Sequence, residues 1–379
     1  MKIAVDLTSL HFHMTGIERY ASRMSARLLL RHPEEEFELI FAGEVHPLFK
    51  PFEGRPGVSF RVLSCKNRLW FSQVRLPLAL SRVKADVFFF PAFCAPWFFG
   101  GRAMAETMHD MSDFECSEGK GRLKVLYSRL GFRRANRAAS VILTVSEFSK
   151  RRISAVLGTD PERIAVTYNG VASDWKATLG PEELKEKYGL PDRWLLSVST
   201  LEPRKNIALL LSAFKAIEND HPDLKLVLCG RAGWNPSAVF PEGAPDPERV
   251  ILTGYVDDGE LPLLYGGASA FVFPSKYEGF GLPPLEAMAM GCPVVSSDAA
   301  SMPEVLGDAA IFFKSEDEDD LVRALKRVLS LSEEERAELT ERGRKRAASF
   351  SWEEESEKLW SALKKAAECG PKGKRRPKK

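Results

Sequence analysis

Two series of short apolar segments constrain the fold of this chain more than any other feature of its sequence. Each segment is three to six residues long, and most are followed by a stretch with the composition of a helix. Short apolar runs that alternate with helical stretches are typical of a parallel β-sheet covered by helices on both faces. The first series occupies residues 2–7, 37–42, 60–63, 87–90, 103–108, 140–145 and 164–167, and the second occupies residues 194–198, 225–229, 250–252, 270–273, 293–296 and 310–313. We therefore predict an α/β protein with two similar domains in succession.

The length and composition of the chain agree with this division. A single hydrophobic core stops growing at about 250–300 residues, and this chain has 379. Its 44% hydrophobic and 28% charged residues are those of an ordinary globular protein. We expect domains at residues 1–171 and 192–350, a linker with one short helix at 172–191, a last helix at 351–368 and a basic, disordered tail at 369–379.

Three features of the sequence predict a cytoplasmic protein. Asp6 interrupts the first apolar run, which is not the pattern of a signal peptide. The most apolar later segment, residues 87–99, is too short and too rich in proline to span a bilayer. The six cysteines lie far apart without C-x-x-C spacing, which argues against a zinc site or a disulfide framework and favours reduced thiols.

Residues 270–304 read as strand, loop, helix, strand, loop and helix, with polar side chains concentrated after the strands. Glu278 lies in the first, glycine-rich loop and Glu286 in the first turn of the next helix, so both can face the crevice where open parallel sheets bind ligands. A carboxylate suits the vicinal hydroxyls of a sugar or a ribose. The alternative for Glu286 is that it only complements the helix dipole. Ser301, with Glu304 three residues later, predicts a capped helix after the second strand.

Arg204 and Lys205 follow the strand that opens the second domain. Two adjacent cations at the carboxyl end of a strand could clamp a diphosphate and stabilise it as a leaving group. The alternative is a solvated pair in a loop. The backbone N–H groups of residues 279–281 could also reach a phosphate or sugar oxygen, because glycine allows close approach.

The first domain offers weaker signals. Gly16 is the only glycine in the turn where a dinucleotide-binding chain carries G-x-G-x-x-G, which argues against an NAD-dependent enzyme. His109 and Asp110 follow an apolar segment, where an imidazole could contact a substrate oxygen, although a structural histidine fits equally well. His11 and His13 have no acidic partner at ligand spacing, so we expect no metal site.

The basic segment, residues 120–152, carries ten Lys or Arg against one acid, Glu147. Such a helical stretch can attract anionic lipid head groups, and the aromatic loop at residues 88–99 could supply an interfacial anchor. A solvated helix face with ordinary core packing explains the same pattern. Nucleic acid is a third partner for such charge, but no nucleic-acid-binding module is visible, so we do not expect it.

Several motifs together resemble one family. YEGFGLPPLEAMAMGCPVVSSDAASMPEVLGDAAIFF, preceded by SVSTLEPRKN, YNGV, CGRAGW and LTGYV, looks like the retaining glycosyltransferases of family 4, which have the GT-B fold. In the first domain only TGIERY and the His109-Asp110 pair match. The resemblance implies two Rossmann-like domains facing a cleft, the nucleotide-sugar donor held mainly by the second and the acceptor by the first. It also implies that the last helix crosses back to pack on the first domain.

The resemblance carries roles onto individual residues. It implies that Glu278 binds hydroxyls of the donor sugar, that Glu286 binds the ribose and that Arg204 and Lys205 hold the diphosphate. It implies that backbone N–H groups of Phe280, Gly281 and Leu282 contact the phosphates. From the first domain, it implies that Gly16 approaches the phosphates and His109 the transferred sugar. The base is expected near Arg231, Tyr255 and Val256. Many relatives have two glycines where this chain has Thr15-Gly16.

The resemblance also implies transfer with retention and without an obligatory metal or other cofactor. We expect front-face attack, in which the leaving phosphate oxygen accepts the acceptor's proton. GDP-mannose is the expected donor and a glycan or lipid-linked saccharide of cell-surface polysaccharide synthesis the expected acceptor, with peripheral contact to the inner face of an anionic plasma membrane. The alternatives are a UDP-sugar donor, a nucleotide-sugar epimerase of the same fold, and a non-catalytic carbohydrate-binding relative.

Overall fold

The computed structural model describes residues 1–11, 14–64, 67, 70–117, 119–171 and 177–371. His13 of the predicted histidine pair, Cys65 and the tail from residue 372 lie outside these described residues. The chain divides into two compact units. The first comprises residues 1–115, 121–170 and 351–379, and the second comprises residues 116–120 and 171–350.

The first unit is built on a seven-stranded parallel sheet with the order β3-β2-β1-β4-β5-β6-β7. Every apolar segment of the first series forms one of its strands, which confirms the α/β prediction for this half of the chain. The strands are β1 Lys2–Asp6, β2 Glu36–Ala42, β3 Val58–Leu63, β4 Val87–Phe90, β5 Met104–Thr107, β6 Val141–Thr144 and β7 Ile164–Val166. The four residues of β4 are all buried, because helices and loops cover both faces of the sheet.

Five α-helices of the described residues connect these strands: α1 Gly16–Arg31, α2 Leu76–Ser81, α3 Ser112–Glu115, α4 Arg122–Ala138 and α5 Glu147–Leu157. One π-helical turn, Phe71–Arg75, leads into α2. Short 3₁₀ turns span Pro47–Phe52 and Pro161–Arg163. The turn before α1 ends in a capping arrangement, since the backbone N–H of Thr15 donates to the Glu18 carboxylate at 2.9 Å.

The second unit has a six-stranded parallel sheet with the order β10-β9-β8-β11-β12-β13. Its strands are β8 Arg193–Val198, β9 Leu224–Cys229, β10 Val250–Gly254, β11 Ala270–Phe273, β12 Val294–Ser297 and β13 Ile311–Phe313, again one for each predicted segment. The strand order reverses between β8 and β11, so the loops that follow these two strands emerge side by side. Such a switch point is where doubly wound sheets bind ligands.

Eight α-helices of the described residues surround this sheet: α6 Pro181–Tyr188, α7 Ile207–Lys215, α8 Pro236–Val239, α9 Leu261–Gly267, α10 Leu282–Ala289, α11 Met302–Leu306, α12 Glu318–Leu329 and α13 Glu333–Ala348. A 3₁₀ turn, Pro203–Lys205, precedes α7. The predicted linker lies partly outside the described residues. Its helix, α6, belongs to the second unit, where Lys187 and Tyr188 donate to the buried Glu260 carboxylate, each at 2.6 Å.

The last helix, α14 Trp352–Cys369, packs on the first unit, as the family resemblance implied. Its buried Glu355 accepts a hydrogen bond from the backbone N–H of Tyr168 at 2.9 Å. The ring of Trp360 stacks on His32 of the first unit with centroids 4.1 Å apart. A Cβ on Gly170 would lie 2.4 Å from the backbone nitrogen of Trp352, so the helix start fits closely against residue 170.

The structure corrects three expectations about local structure. Ser301 precedes α11 but makes no side-chain cap, because its hydroxyl faces backbone carbonyls of another loop. Phe88, Phe89, Phe90 and Phe99 of the predicted aromatic loop are core residues. The predicted basic segment is not one helical stretch, because strand β6 separates α4 from α5.

Five cysteines are free thiols in the described part of the chain. Within that same part, no helix combines the length and the apolar character that crossing a membrane requires.

Candidate functional site

The side chains of Arg204, Lys205 and Glu278 meet at the switch point of the second sheet. Arg204 and Lys205 follow β8, and Glu278 follows β11, its neighbour. Nη1 of Arg204 lies 3.0 Å from one carboxylate oxygen of Glu278, and Nζ of Lys205 lies 2.5 Å from the other. We call Arg204, Lys205 and Glu278 the switch-point cluster. The predicted sugar-binding carboxylate and the predicted diphosphate cations are therefore one connected group.

Arg204 is held from a second side by Glu202, which the sequence pattern did not single out. One oxygen of Glu202 accepts hydrogen bonds from Nε and Nη2 of Arg204 at 3.1 and 2.7 Å. Its other oxygen accepts from the indole N–H of Trp234 at 2.9 Å. Nη1 of Arg204 also donates to the carbonyl of Tyr277 at 2.6 Å. Most guanidinium donors are thus used to fix Arg204 in place.

Lys205 is arranged differently from its neighbour. Its ammonium carries three donors, of which one is used by Glu278. The same ammonium lies 5.6 Å from the centroid of the Phe273 ring, a cation–π distance. Because Lys205 keeps donor capacity that Arg204 has spent, it is the cation better suited to bind an oxyanion directly.

The charges of the switch-point cluster fix its protonation. Burial alone would raise the pKa of the Glu278 carboxyl, but the positive charges of Arg204 and Lys205 outweigh burial and hold that pKa at about 2. Burial also lowers the pKa of the Lys205 ammonium, with Glu278 opposing that shift and Arg204 adding to it. Glu278 is therefore an anion at neutral pH, with lone pairs left for further donors.

The loop after β11 is fixed by a buried serine and by one glycine. The hydroxyl of Ser301 lies 3.1 Å from the carbonyl oxygens of both Glu278 and Phe280. Gly281 has a φ of +92°, and a Cβ there would lie 2.3 Å from the terminal methyl of Met302. Both contacts set the path of the loop into α10. Among the described backbone hydrogen bonds, none is donated by the N–H of Gly281 or Leu282.

Glu286 lies in α10 and is buried. One of its carboxylate oxygens accepts a hydrogen bond from the hydroxyl of Tyr265 at 3.0 Å. Tyr265 is itself completely buried and packs edge-on against Phe271 of β11. The contact is more than a helix-dipole interaction, because Tyr265 fixes the orientation of the carboxylate.

Arg231, Tyr255 and Val256 lie after β9 and β10, on the side of β8 away from β11. The guanidinium of Arg231 stands over the Tyr255 ring at 4.7 Å, and Val256 beside this pair is buried. Gly230, at the end of β9, has a φ of +142°, and a Cβ there would lie 1.8 Å from the carbonyl oxygen of Ser199. Only glycine allows the two loops to approach this closely.

His109 and Gly16 belong to the first unit. Nε2 of His109 donates to the carbonyl of Pro91 at 2.8 Å, and the Tyr20 ring packs edge-on against the imidazole at 5.1 Å. Burial lowers the pKa of His109, and the Pro91 contact and two nearby acids oppose the shift only in part. A neutral ring that donates from Nε2 leaves Nδ1 as an acceptor. Gly16 is the first residue of α1, and no atom of the described residues outside its own stretch of chain lies within 4 Å of where a Cβ would stand.

Tyr20 is a further first-unit residue that the sequence pattern did not single out. Its hydroxyl lies 2.7 Å from that of Thr167, and burial raises the pKa of the phenol to about 12. Tyr20 therefore stays neutral and holds His109 by packing.

The described residues contain no group of three or more His, Cys, Asp or Glu side chains close enough together to hold a metal ion.

Two doubly wound units, with a cation and carboxylate cluster at the switch point of the second, agree with the GT-B glycosyltransferase architecture that the motifs imply. Two family models match the chain. The model for glycosyl transferases group 1 matches residues 181–346, and the model for Glycosyltransferase Family 4 matches residues 14–175. The chain is also 33% identical over 372 residues to O-antigen chain mannosyltransferase B of Escherichia coli, covering 93% of this chain and 97% of that protein. The chain thus belongs to the family 4 glycosyltransferases of group 1 and is an enzyme of that class.

Two other similarities agree with this assignment. The O-antigen chain mannosyltransferase RfbU of Salmonella typhimurium is 32% identical over 228 residues, covering 59% of this chain and 60% of that protein. The crystal structure of Anabaena Alr3699/HepE in complex with UDP-glucose has a TM-score of 0.72 at 16% identity, covering 96% of this chain and 99% of that one. At that identity the second similarity concerns the fold alone.

Proposed function

We propose that this glycosyltransferase moves mannose from GDP-mannose to a glycan or lipid-linked saccharide in the synthesis of a cell-surface polysaccharide. The switch-point cluster is the observation that carries the proposal, because it joins cations suited to a diphosphate with a carboxylate suited to sugar hydroxyls. The choice of mannose is supported by the names of the similar O-antigen mannosyltransferases. We place this transfer at the cytoplasmic face of a membrane as part of the same proposal.

In this mechanism Lys205 binds the diphosphate oxygens, and Arg204 adds a fixed positive charge beside them. Negative charge grows on the bridging oxygen as the sugar leaves, so charges already in place lower the barrier. Glu278 uses its remaining lone pairs to hold sugar hydroxyls, and Glu286 holds the ribose. The N–H groups of Phe280, Gly281 and Leu282 add donors to the phosphates.

The proposed transfer retains the configuration at carbon 1 of the sugar. It needs no metal ion, because Lys205 and Arg204 supply the positive charge that a divalent cation would otherwise bring. The acceptor oxygen attacks from the face that the diphosphate leaves, and the departing phosphate oxygen takes its proton. One C–O bond to carbon 1 of the sugar forms as the other breaks. The same proposal gives His109, which is neutral and donates to Pro91, the role of an acceptor at Nδ1 for the transferred sugar. It assigns Gly16 to the phosphates, and Arg231, Tyr255 and Val256 to the base.

A UDP-sugar is the second candidate donor. It is favoured by the similarity to a structure solved in complex with UDP-glucose, although that similarity is one of fold.

A donor panel tests the proposal. The purified chain is incubated with GDP-mannose, UDP-glucose or UDP-N-acetylglucosamine, and both slow donor hydrolysis and the melting temperature are measured. We expect GDP-mannose to raise the melting temperature most and to be hydrolysed to GDP. A larger response to either UDP-sugar moves the assignment to that donor. Epimerised product, or no response to any donor, contradicts glycosyl transfer.

A further inference from the structure

An apolar surface of the first unit stands out from the rest of the molecule. Of thirteen large hydrophobic side chains that are exposed in the described part of the chain, ten lie between residues 70 and 130. Helix residues 70–81 contribute Trp70, Val74 and Leu78, spaced by four. The loop after β4 contributes Phe93, Trp97 and Phe98. Helix α4 contributes Leu123, Leu126, Tyr127 and Leu130. A contiguous apolar surface of this kind marks an interaction site.

Direct contacts join the three elements into one surface. The side-chain amide of Gln73 donates to the Tyr127 hydroxyl at 2.7 Å, and its oxygen accepts from the backbone N–H of Trp97 at 3.0 Å. The Trp97 and Tyr127 rings stack with centroids 5.6 Å apart. Gln73 therefore ties the helix, the loop and α4 together at one place, and the exposed apolar side chains extend from it along each element.

The three segments that form this surface carry charge of one sign, with the acids placed beside them: exposed Asp86 follows the first segment, and the Asp113 carboxylate accepts from Ser128 of α4. Residues 70–85, 91–102 and 122–138 contain ten Lys or Arg and no Asp or Glu, in a chain with 52 acidic residues. Several of these cations act inside the fold, among them Arg134, which donates to the carbonyl of Ala95 at 3.2 Å, and Arg129, which donates to that of Asp113 at 2.7 Å. The exposed ones are Arg82, Lys84, Arg102, Arg122, Lys124, Arg133 and Arg137.

On α4 the exposed cations and apolar side chains share one side. Arg122, Leu126, Leu130, Arg133 and Arg137 follow each other at intervals of three or four residues, which places them in one stripe of the helix. Aromatic rings and leucines flanked by cations match the boundary between lipid head groups and acyl chains. The excess of exposed cations over acids in these segments favours anionic lipid phosphates as the partner.

We propose that the apolar and basic surface formed by residues 70–85, 91–102 and 122–138 docks the enzyme on an anionic lipid bilayer. Phe98 and Leu123, 86% and 84% exposed, enter the acyl boundary, while the exposed cations pair with lipid phosphates. The proposed lipid contact uses only part of the predicted basic segment. Arg152, near its end, pairs with Glu115 and is not part of the docking surface. The inference goes beyond glycosyl transfer and does not depend on the donor.

Co-sedimentation of the full chain with vesicles tests the docking surface. One set of vesicles is pure phosphatidylcholine, and another contains about one third phosphatidylglycerol. We expect at least about tenfold tighter binding to the anionic vesicles at low salt, with the difference falling as salt rises. Equal binding to both sets, or none to either, overturns the proposal.

Matched variants separate the two parts of the surface. Phe98→Ser with Leu123→Ser should weaken binding to anionic vesicles by about tenfold or more, since each removes an inserted apolar group. Leu30→Ser with Leu252→Ser removes two leucines exposed elsewhere and should leave binding unchanged. Arg122→Glu with Lys124→Glu should abolish binding, whereas Lys326→Glu with Lys345→Glu, an equal charge change in the second unit, should not. Melting temperatures confirm that each variant is folded.

Three results contradict membrane docking. Equal losses for the surface and control variants would show that only net charge matters. Wild-type binding by Phe98→Ser with Leu123→Ser would remove the apolar surface from the interaction. The third result is self-association of the wild type in sedimentation velocity without lipid, together with no vesicle binding. If that self-association were lost in the same variant, the surface would be assigned to a second copy of the chain.

Discussion

At the scale of single residues, Glu278 has two tasks that a simple substitution would confuse. It holds Arg204 and Lys205 in position through its carboxylate, and we propose that it also binds the donor sugar. Removing the carboxylate with Glu278→Ala leaves two partly buried cations without their counter-ion, which costs stability as well as activity. Glu278→Gln keeps the shape and an acceptor oxygen, so it isolates the charge.

We predict that Glu278→Gln separates diphosphate binding from sugar binding. The amide neutralises Arg204 and Lys205 less, so GDP should bind as tightly as in the wild type or more tightly. GDP-mannose transfer should fall at least about tenfold in kcat/KM, roughly 1.4 kcal/mol, because a charged acceptor for the sugar hydroxyls is lost. Calorimetric titration with GDP and initial-rate kinetics measure the two effects. A parallel loss of GDP affinity would mean that Glu278 acts only by holding the cations.

The sequence predicts which residues form the switch-point cluster but not how they meet. Lys205 and Glu278 are 73 positions apart, and no periodicity links them. Their contact depends on β11 lying beside β8 while the intervening β9 and β10 add to the other edge. The tie from Glu202 to Trp234 depends on the same strand order. Such contacts are properties of topology, which local pattern does not encode.

At the scale of elements, Ser301, which follows β12, holds the loop that follows the neighbouring strand β11. Its sequence context is that of a helix cap, yet its hydroxyl spans the carbonyls of Glu278 and Phe280. The loop that carries Glu278 is therefore positioned by the Ser301 hydroxyl through its backbone carbonyls. We propose that Ser301 acts as a positioning residue.

We predict that Ser301→Ala lowers kcat/KM for donor turnover by about three- to tenfold, since losing one hydrogen bond of roughly 1 kcal/mol loosens the loop. Ser301→Thr keeps the hydroxyl and should recover part of the rate. Ser296→Ala is a matched control, because its buried hydroxyl donates to the carbonyl of Ser297 in β12. A melting temperature that falls in Ser301→Ala while kinetics stay normal would assign Ser301 to stability alone.

All thirteen strands could be predicted, because their apolar runs are short, buried and separated by helical stretches. The region from residue 70 to 81 could not, since Pro77 and a π-helical turn interrupt the regular helical spacing there. That missed region holds Trp70, Val74 and Leu78, three of the exposed side chains of the docking surface. The irregular helix at residues 70–81 is therefore the reason that the sequence pattern did not reveal this part of the docking surface.

At the scale of the whole molecule, each unit has its own sheet and its own switch point, and the last helix returns to the first unit through Glu355 and Trp360. Most of the residues that we propose to bind the nucleotide-sugar lie in the second unit, while the surface that we propose to dock on a bilayer lies in the first. We therefore expect that donor chemistry and membrane docking can be altered independently.

The central claim is that Lys205, held by Glu278, is the cation that stabilises the departing diphosphate. Mannosyl transfer from GDP-mannose by Lys205→Ala tests it most directly, with Lys215→Ala as the control, a lysine of the following helix whose side chain is 69% exposed. We predict that kcat/KM falls at least about tenfold in Lys205→Ala, mainly through kcat, and stays normal in Lys215→Ala. Near-normal transfer by a folded Lys205→Ala enzyme would contradict the account.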